Sequence, residues 1–285
     1  MGRADGGGQG LAPIDRWTLG IAVVLTVALL RRWPPGLGGH LAGAHILLGA
    51  VVFLAPRARD AGRLGAFVGE FYAFFLLFAL YTEVGLLNSA AGVSYDAVVQ
   101  RWERAVFGLQ PSLAWARAQP WPWLSGTLHA AYLFYYLMVA GVPVGFWIAG
   151  RRAAARRTLL LVTATFYVCY TLSLLIPVAG PRYLFPLPES DAVRIGVASF
   201  THELMRTGSA WGTAFPSSHV AVAVVTSACG WRESRALGGL AIAATALLLL
   251  GTVYGQFHYA LDALAGAAVG ALVLLGSSTR RSAPS

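Results

Sequence analysis

The sequence predicts an all-α fold, a polytopic membrane helix bundle of about eight spans. Of 285 residues, 57% are hydrophobic and only 12% charged, a balance that water-soluble domains do not have. The apolar residues gather into runs that can cross a hydrocarbon layer about 30 Å thick at about 1.5 Å per helical residue. The charges sit in short clusters between those runs.

Residues 1–16 open Gly-rich and are expected to be disordered up to about Ala12. A transmembrane hairpin follows over 17–58, with apolar segments at 17–33 and 38–55. No small-x-small cleavage site trails the first run, so it reads as an uncleaved span rather than a signal peptide. Six more segments, at 64–87, 124–149, 159–177, 216–231, 236–254 and 259–276, make a six-span domain over 59–276. Residues 277–285 form a tail.

All 21 basic residues are arginine, against 12 acidic ones. Placed by the positive-inside rule with the N-terminus inside, thirteen arginines lie inside and eight outside. That distribution reports topology, not a nucleic-acid surface. Arg31 and Arg32 are the exception, since they fall outside. Cys169 and Cys229 lie in different apolar segments, and neither CxxC nor HExxH occurs, so neither a disulfide framework nor a metal or other cofactor is expected.

Two outer segments are long. Within 88–123, the stretch 94–108 reads as an amphipathic interfacial helix. Val98, Val99, Trp102, Val106 and Leu109 share its apolar face, while Gln100, Arg101, Glu103 and Arg104 take the other. The second segment, 178–215, carries Arg182, Arg194, His202 and Arg206 without a clear element.

Three motifs open onto this outer side. Phe215-Pro216-Ser217-Ser218-His219 starts a helix, where proline is favoured and the first N–H groups lack partners. Ser217, Ser218 and those N–H groups suit an anion, most naturally a phosphate, and His219 stands where it could hand a proton to a leaving oxygen. The plainer reading is a capped helix with a packed histidine. His258-Tyr259-Ala260-Leu261-Asp262 lies 39 residues after His219, enough for the chain to cross and return. His258 and Asp262 share a helix face, as an activated histidine and its orienting carboxylate would; a structural pair is the alternative. Pro177-Val178-Ala179-Gly180-Pro181-Arg182-Tyr183 presents an arginine suited to bidentate phosphate binding, or else an ordinary interfacial arginine after a helix stop. Glu83, Asn88 and His129 fit helix–helix hydrogen bonds better than head-group contacts.

Taken together, Pro177-x-Ala-x-Pro-Arg182, Phe215-Pro-Ser-Ser-His219-Val-Ala and His258-Tyr-x-x-Asp262-Ala-x-x-Gly266 resemble the type 2 phosphatidic-acid phosphatase superfamily. Within it, the chain resembles the branch of the inositol-phosphorylceramide synthases, whose pattern the stretch ending Phe107-Gly108-x-x-Pro111 also follows. The resemblance covers about 64–276 and implies a metal-free lipid phosphatase or phosphotransferase with membrane lipids as partners. It implies that His258 attacks phosphorus and forms a phosphohistidine, that Asp262 orients it, and that His219 protonates the departing alcohol. Arg182 and the Ser217/Ser218 turn would hold the phosphate, with Tyr183, Thr252 and Tyr254 added as contacts. Departures are clear: the superfamily's lysine is missing, and Thr252 stands where it has an arginine. Fewer cations suit a phosphodiester. A haem protein built on paired histidines is the competing class.

Overall fold

A computed structural model describes residues 10–194 and 196–279. Fourteen helices follow one another among them: α1 Pro13–Arg32, α2 Gly38–Asp60, α3 Gly62–Phe75, α4 Leu77–Ala91, α5 Asp96–Phe107, α6 Pro111–Ala118, α7 Pro122–Ile148, α8 Arg152–Leu175, α9 Pro181–Leu184, α10 Asp191–Arg194, α11 Gly196–Gly208, α12 Ser218–Glu233, α13 Arg235–Tyr254 and α14 Ala260–Thr279. The expected all-α bundle is the observed one. The first helix begins earlier than the apolar run, at Pro13, where the Asp15 carboxylate accepts from the Ala12 N–H at 2.8 Å. Most of the N-terminal stretch expected to be disordered (1–9), and most of the tail (280–285), lie outside the described residues.

Among the described residues, seven spans are long and apolar enough to cross a membrane: α1, α2, α3 with α4, α7, α8, α13 and α14. The expected eighth, at 216–231, is α12, which has only 16 residues and so reaches about 24 Å. Its composition is apolar because it is buried in protein. Val220, Ala221, Val222, Ala223 and Val225 are fully enclosed, and α12 packs against α7, α8, α13 and α14.

Ion pairs pin one end of the bundle. Arg59 forks onto both Asp15 oxygens at 2.6 and 2.8 Å, and Arg156 meets Glu70 at 2.9 Å. Arg32, the exception to the charge rule, is no loop charge. It donates to Asn88 Oδ1 and to the Leu174 carbonyl, both at 2.5 Å, tying α1 to α4 and α8. Asn88 in turn donates to the carbonyls of Ser173 and Gly212. Glu83 meets His45 at 2.6 Å. His129 bonds the Ser125 carbonyl within its own helix and reaches His202 Nε2 at 3.3 Å.

The stretch expected to lie in the interface forms α5, but its faces differ from the expected split. Trp102, Val106 and Phe107 are exposed, as a bilayer-facing surface would be. Asp96 and Glu103 instead point into the protein and are buried, while Arg101 and Arg104 stay outside. Burial pushes the Glu103 carboxyl up to about 7. The second long segment folds into α9, α10 and α11. Only Ala198, Thr201 and Met205 bury on α11, a stripe too narrow to stand out in the sequence.

Candidate active site

Three loops meet where α8 ends and α12 and α14 begin. The chain after α8 pairs with the chain before α12 through one parallel bridge, Val178 with Thr213. The Ala214 N–H donates to the Val178 carbonyl at 2.8 Å. The turn before α12 is tied to α14 by the Ser217 N–H, which donates to the Asp262 carbonyl at 2.9 Å. Gly266 makes that approach possible, because any Cβ there would run into the Ser217 carbonyl.

These ties bring Arg182, Tyr183, Ser218, His219 and His258 around one cavity, with Tyr81, Ser209, Thr213 and Phe257 completing the wall. Arg182, at the start of the short helix α9, donates to the Ser209 hydroxyl and the Met205 carbonyl of the α11 region. Its guanidinium also lies 4.9 Å from the centre of the Tyr183 ring. The Tyr183 hydroxyl donates to the Ser209 carbonyl at 3.1 Å.

His258 sits in the loop between α13 and α14 and is 6% exposed. Its Nδ1 lies 3.0 Å from the Ala214 carbonyl oxygen, which can only accept, so the proton is on Nδ1 and Nε2 is bare. Burial, with the nearby Arg182 charge, draws the ring down to about 4, so it is neutral at pH 7. Asp262 does not make the bond expected of it. Its Oδ2 is 3.7 Å from His258 Nδ1 and accepts the Tyr259 N–H at 2.9 Å instead. A backbone carbonyl orients the ring, while the carboxylate shapes the turn and lies close enough to support positive charge on it.

His219 faces His258, with ring centroids 5.9 Å apart. Its Nε2 lies 3.2 Å from the Tyr132 hydroxyl and 3.4 Å from that of Tyr136. Its Nδ1 is buried and has no partner among the described residues, so Nδ1 is the atom left for a ligand.

Other expected contacts change place. Ser217 is fully buried and is the N-cap of α12, its hydroxyl accepting from Val220 N and its N–H spent on Asp262. Only the Ser218 and His219 N–H groups remain without an acceptor among the described residues. Thr252 does not reach the cavity. Its hydroxyl donates to the Leu249 carbonyl at 2.7 Å, and its carbonyl accepts the N–H groups of Phe257 and His258 at 3.0 Å each. Tyr254 also turns away, donating to the Gln119 carbonyl at 2.9 Å.

Sequence reasoning missed Tyr132 and Tyr136, though Tyr132 and Tyr136 are four apart on the face that continues from His129. It also missed the Ala214 carbonyl and Ser209, for which no local signal exists. No three His, Cys, Asp or Glu side chains converge as a metal site among the described residues.

No curated protein and no solved structure matches the chain. Residues 97–276, well over half of the chain, match the PAP2 superfamily, and they include every residue of the cavity described above except Tyr81. The helical bundle, the paired histidines and this match agree: the chain belongs to the PAP2 superfamily, a membrane protein of the lipid phosphatase and phosphotransferase type.

Proposed function

We propose that the protein moves a phospho-alcohol group between membrane lipids, as an inositolphosphotransferase does, through a phosphohistidine on His258. The observation that carries the diester reading is the charge of the cavity: Arg182 is the one arginine in its wall among the described residues. One guanidinium matches the single negative charge of a phosphodiester better than the two of a phosphomonoester.

In the first step, the bare Nε2 of His258 attacks phosphorus. The P–O bond to the leaving alcohol breaks, and His219 supplies that oxygen with a proton. Arg182 and the free N–H groups at the start of α12 hold the non-bridging oxygens. In the second step an acceptor hydroxyl gives its proton to His219 and attacks the phosphohistidine, releasing His258 unchanged. The chemistry needs nothing beyond these side chains, so turnover is expected to persist in EDTA. The arginine distribution supports a site on the outer face of the cell membrane.

The test is to incubate the purified enzyme with labelled phospholipids, with and without hydroxyl-bearing lipid acceptors. Label moving onto an acceptor is the expected result, and label found only in water-soluble phosphate would make the protein a phosphatase. His258→Ala should lower either activity by several orders of magnitude. Full turnover in that variant would remove His258 as nucleophile.

A further inference from the structure

We propose that α5 is a caliper for the active site: Asp96 and Glu103 act as positioning residues that set the spacing between the Arg182 loop and the His258 loop. The inference rests on the reading of His258 as nucleophile.

The two carboxylates lie seven residues apart on one helix face, hence about 10 Å along the axis. Asp96 takes the first loop. Its Oδ2 accepts the Ala179 N–H and its Oδ1 the Gly180 N–H, each at 2.8 Å. Those amides stand two and three residues before Arg182. Asp96 Oδ1 also accepts the Tyr259 hydroxyl at 3.1 Å, and Oδ2 accepts the Ser94 hydroxyl. Glu103 takes the second loop, its Oε1 accepting the N–H of Ala260 at the head of α14. Gln100 lies between them and donates to the Tyr259 hydroxyl at 2.9 Å. One rigid helix thus holds the residues flanking both Arg182 and His258.

Neither carboxylate has a cationic partner among the described residues, although both are buried. Burying two such groups is costly unless their hydrogen bonds organise something. What they organise here is loop backbone whose own N–H groups have no other partner among the described residues. Beyond the single Val178–Thr213 bridge no ladder sets the position of this backbone, so the distance between phosphate holder and nucleophile depends on α5.

The experiment uses the full-length protein in liposomes with a labelled phospholipid donor, following phosphorylation of the enzyme in the first turnover. Asp96→Asn keeps the shape but turns one acceptor into a donor facing an N–H. Its kcat and first-turnover rate should fall about 10²-fold, as a misplacement of about 1 Å produces, while KM stays within about threefold. Glu103→Ala should fall likewise, and Glu103→Gln should restore the rate, because the amide oxygen still accepts from Ala260. Should Asp96→Asn fail to fold, the Glu103 pair decides. A wild-type kcat in Asp96→Asn, a loss expressed only in KM, or a Glu103→Gln as damaged as Glu103→Ala would overturn the caliper. His258→Ala in the same series separates the premises. Activity there overturns the nucleophile, whereas an inactive His258→Ala beside a fully active Asp96→Asn overturns the caliper alone.

Discussion

Replacing Gly180 by alanine probes the geometry of the site at one point. Gly180 has φ +93 and ψ 162, a conformation close to glycine-only, which costs an L-residue about 1–3 kcal/mol. A Cβ there would stand 3.0 Å from the Ala214 Cβ, whereas apolar carbons rest at about 3.5–4.0 Å. Ala214 or the Gly180 loop must therefore yield by about 0.5–1 Å. Ala214 is the residue whose carbonyl orients His258, so the shift passes directly to the proposed nucleophile. A loss of about 2 kcal/mol from a typical stability of about 5–15 kcal/mol leaves the protein essentially all folded. Any fall in rate then reports geometry. Turnover should drop about 10- to 100-fold, most of it in kcat, with a modest drop in melting temperature. The assay is label transfer from a phospholipid donor together with a thermal melt in the same detergent. A Gly180→Ala enzyme with wild-type kcat would refute the argument that Ala214 sets the ring.

Other outcomes follow from single contacts. His258 is neutral above about 4, so protonation should occupy Nε2 only below that, and kcat/KM should fall on the acid side near pH 4; an acid limb near the ordinary imidazole value of about 6.5 would refute the bare-Nε2 assignment. Tyr132→Phe and Tyr136→Phe each remove a partner of His219 Nε2 at about 1 kcal/mol, or about fivefold in rate; a double variant with unchanged rate would show that these hydroxyls do not orient the proposed acid. Tyr254→Phe should keep its kcat and lose about 1 kcal/mol of stability, because its hydroxyl turns to the Gln119 carbonyl and away from the cavity, and a large rate loss would return Tyr254 to the site.

Hydrophobic runs and arginine clusters were enough to predict the bundle, because a bilayer permits few ways to satisfy a backbone. One element is shorter than the rest, the 16-residue α12. Segment 216–231 is as apolar as a lipid-facing span, and burial inside protein selects the same residues. Arg32 shows the converse, a charge that looks like a topological anomaly until Asn88 and the Leu174 carbonyl are seen to take it up. In the site, Arg182, Ser218, His219 and His258 could be picked from the chain because each belongs to a short local motif whose chemistry depends on residue type and spacing.

Which atoms those residues use was a matter for the tertiary fold. The partner of His258 is a carbonyl 44 residues away, not the carboxylate four residues along. Glu103 reads in the sequence as the wet side of an amphipathic helix, yet it and Asp96 face the loops. Periodicity reports that one face of a helix differs from the other. It does not report what each face touches, and hydrogen bonds to backbone groups carry no residue-type signature that a sequence could display.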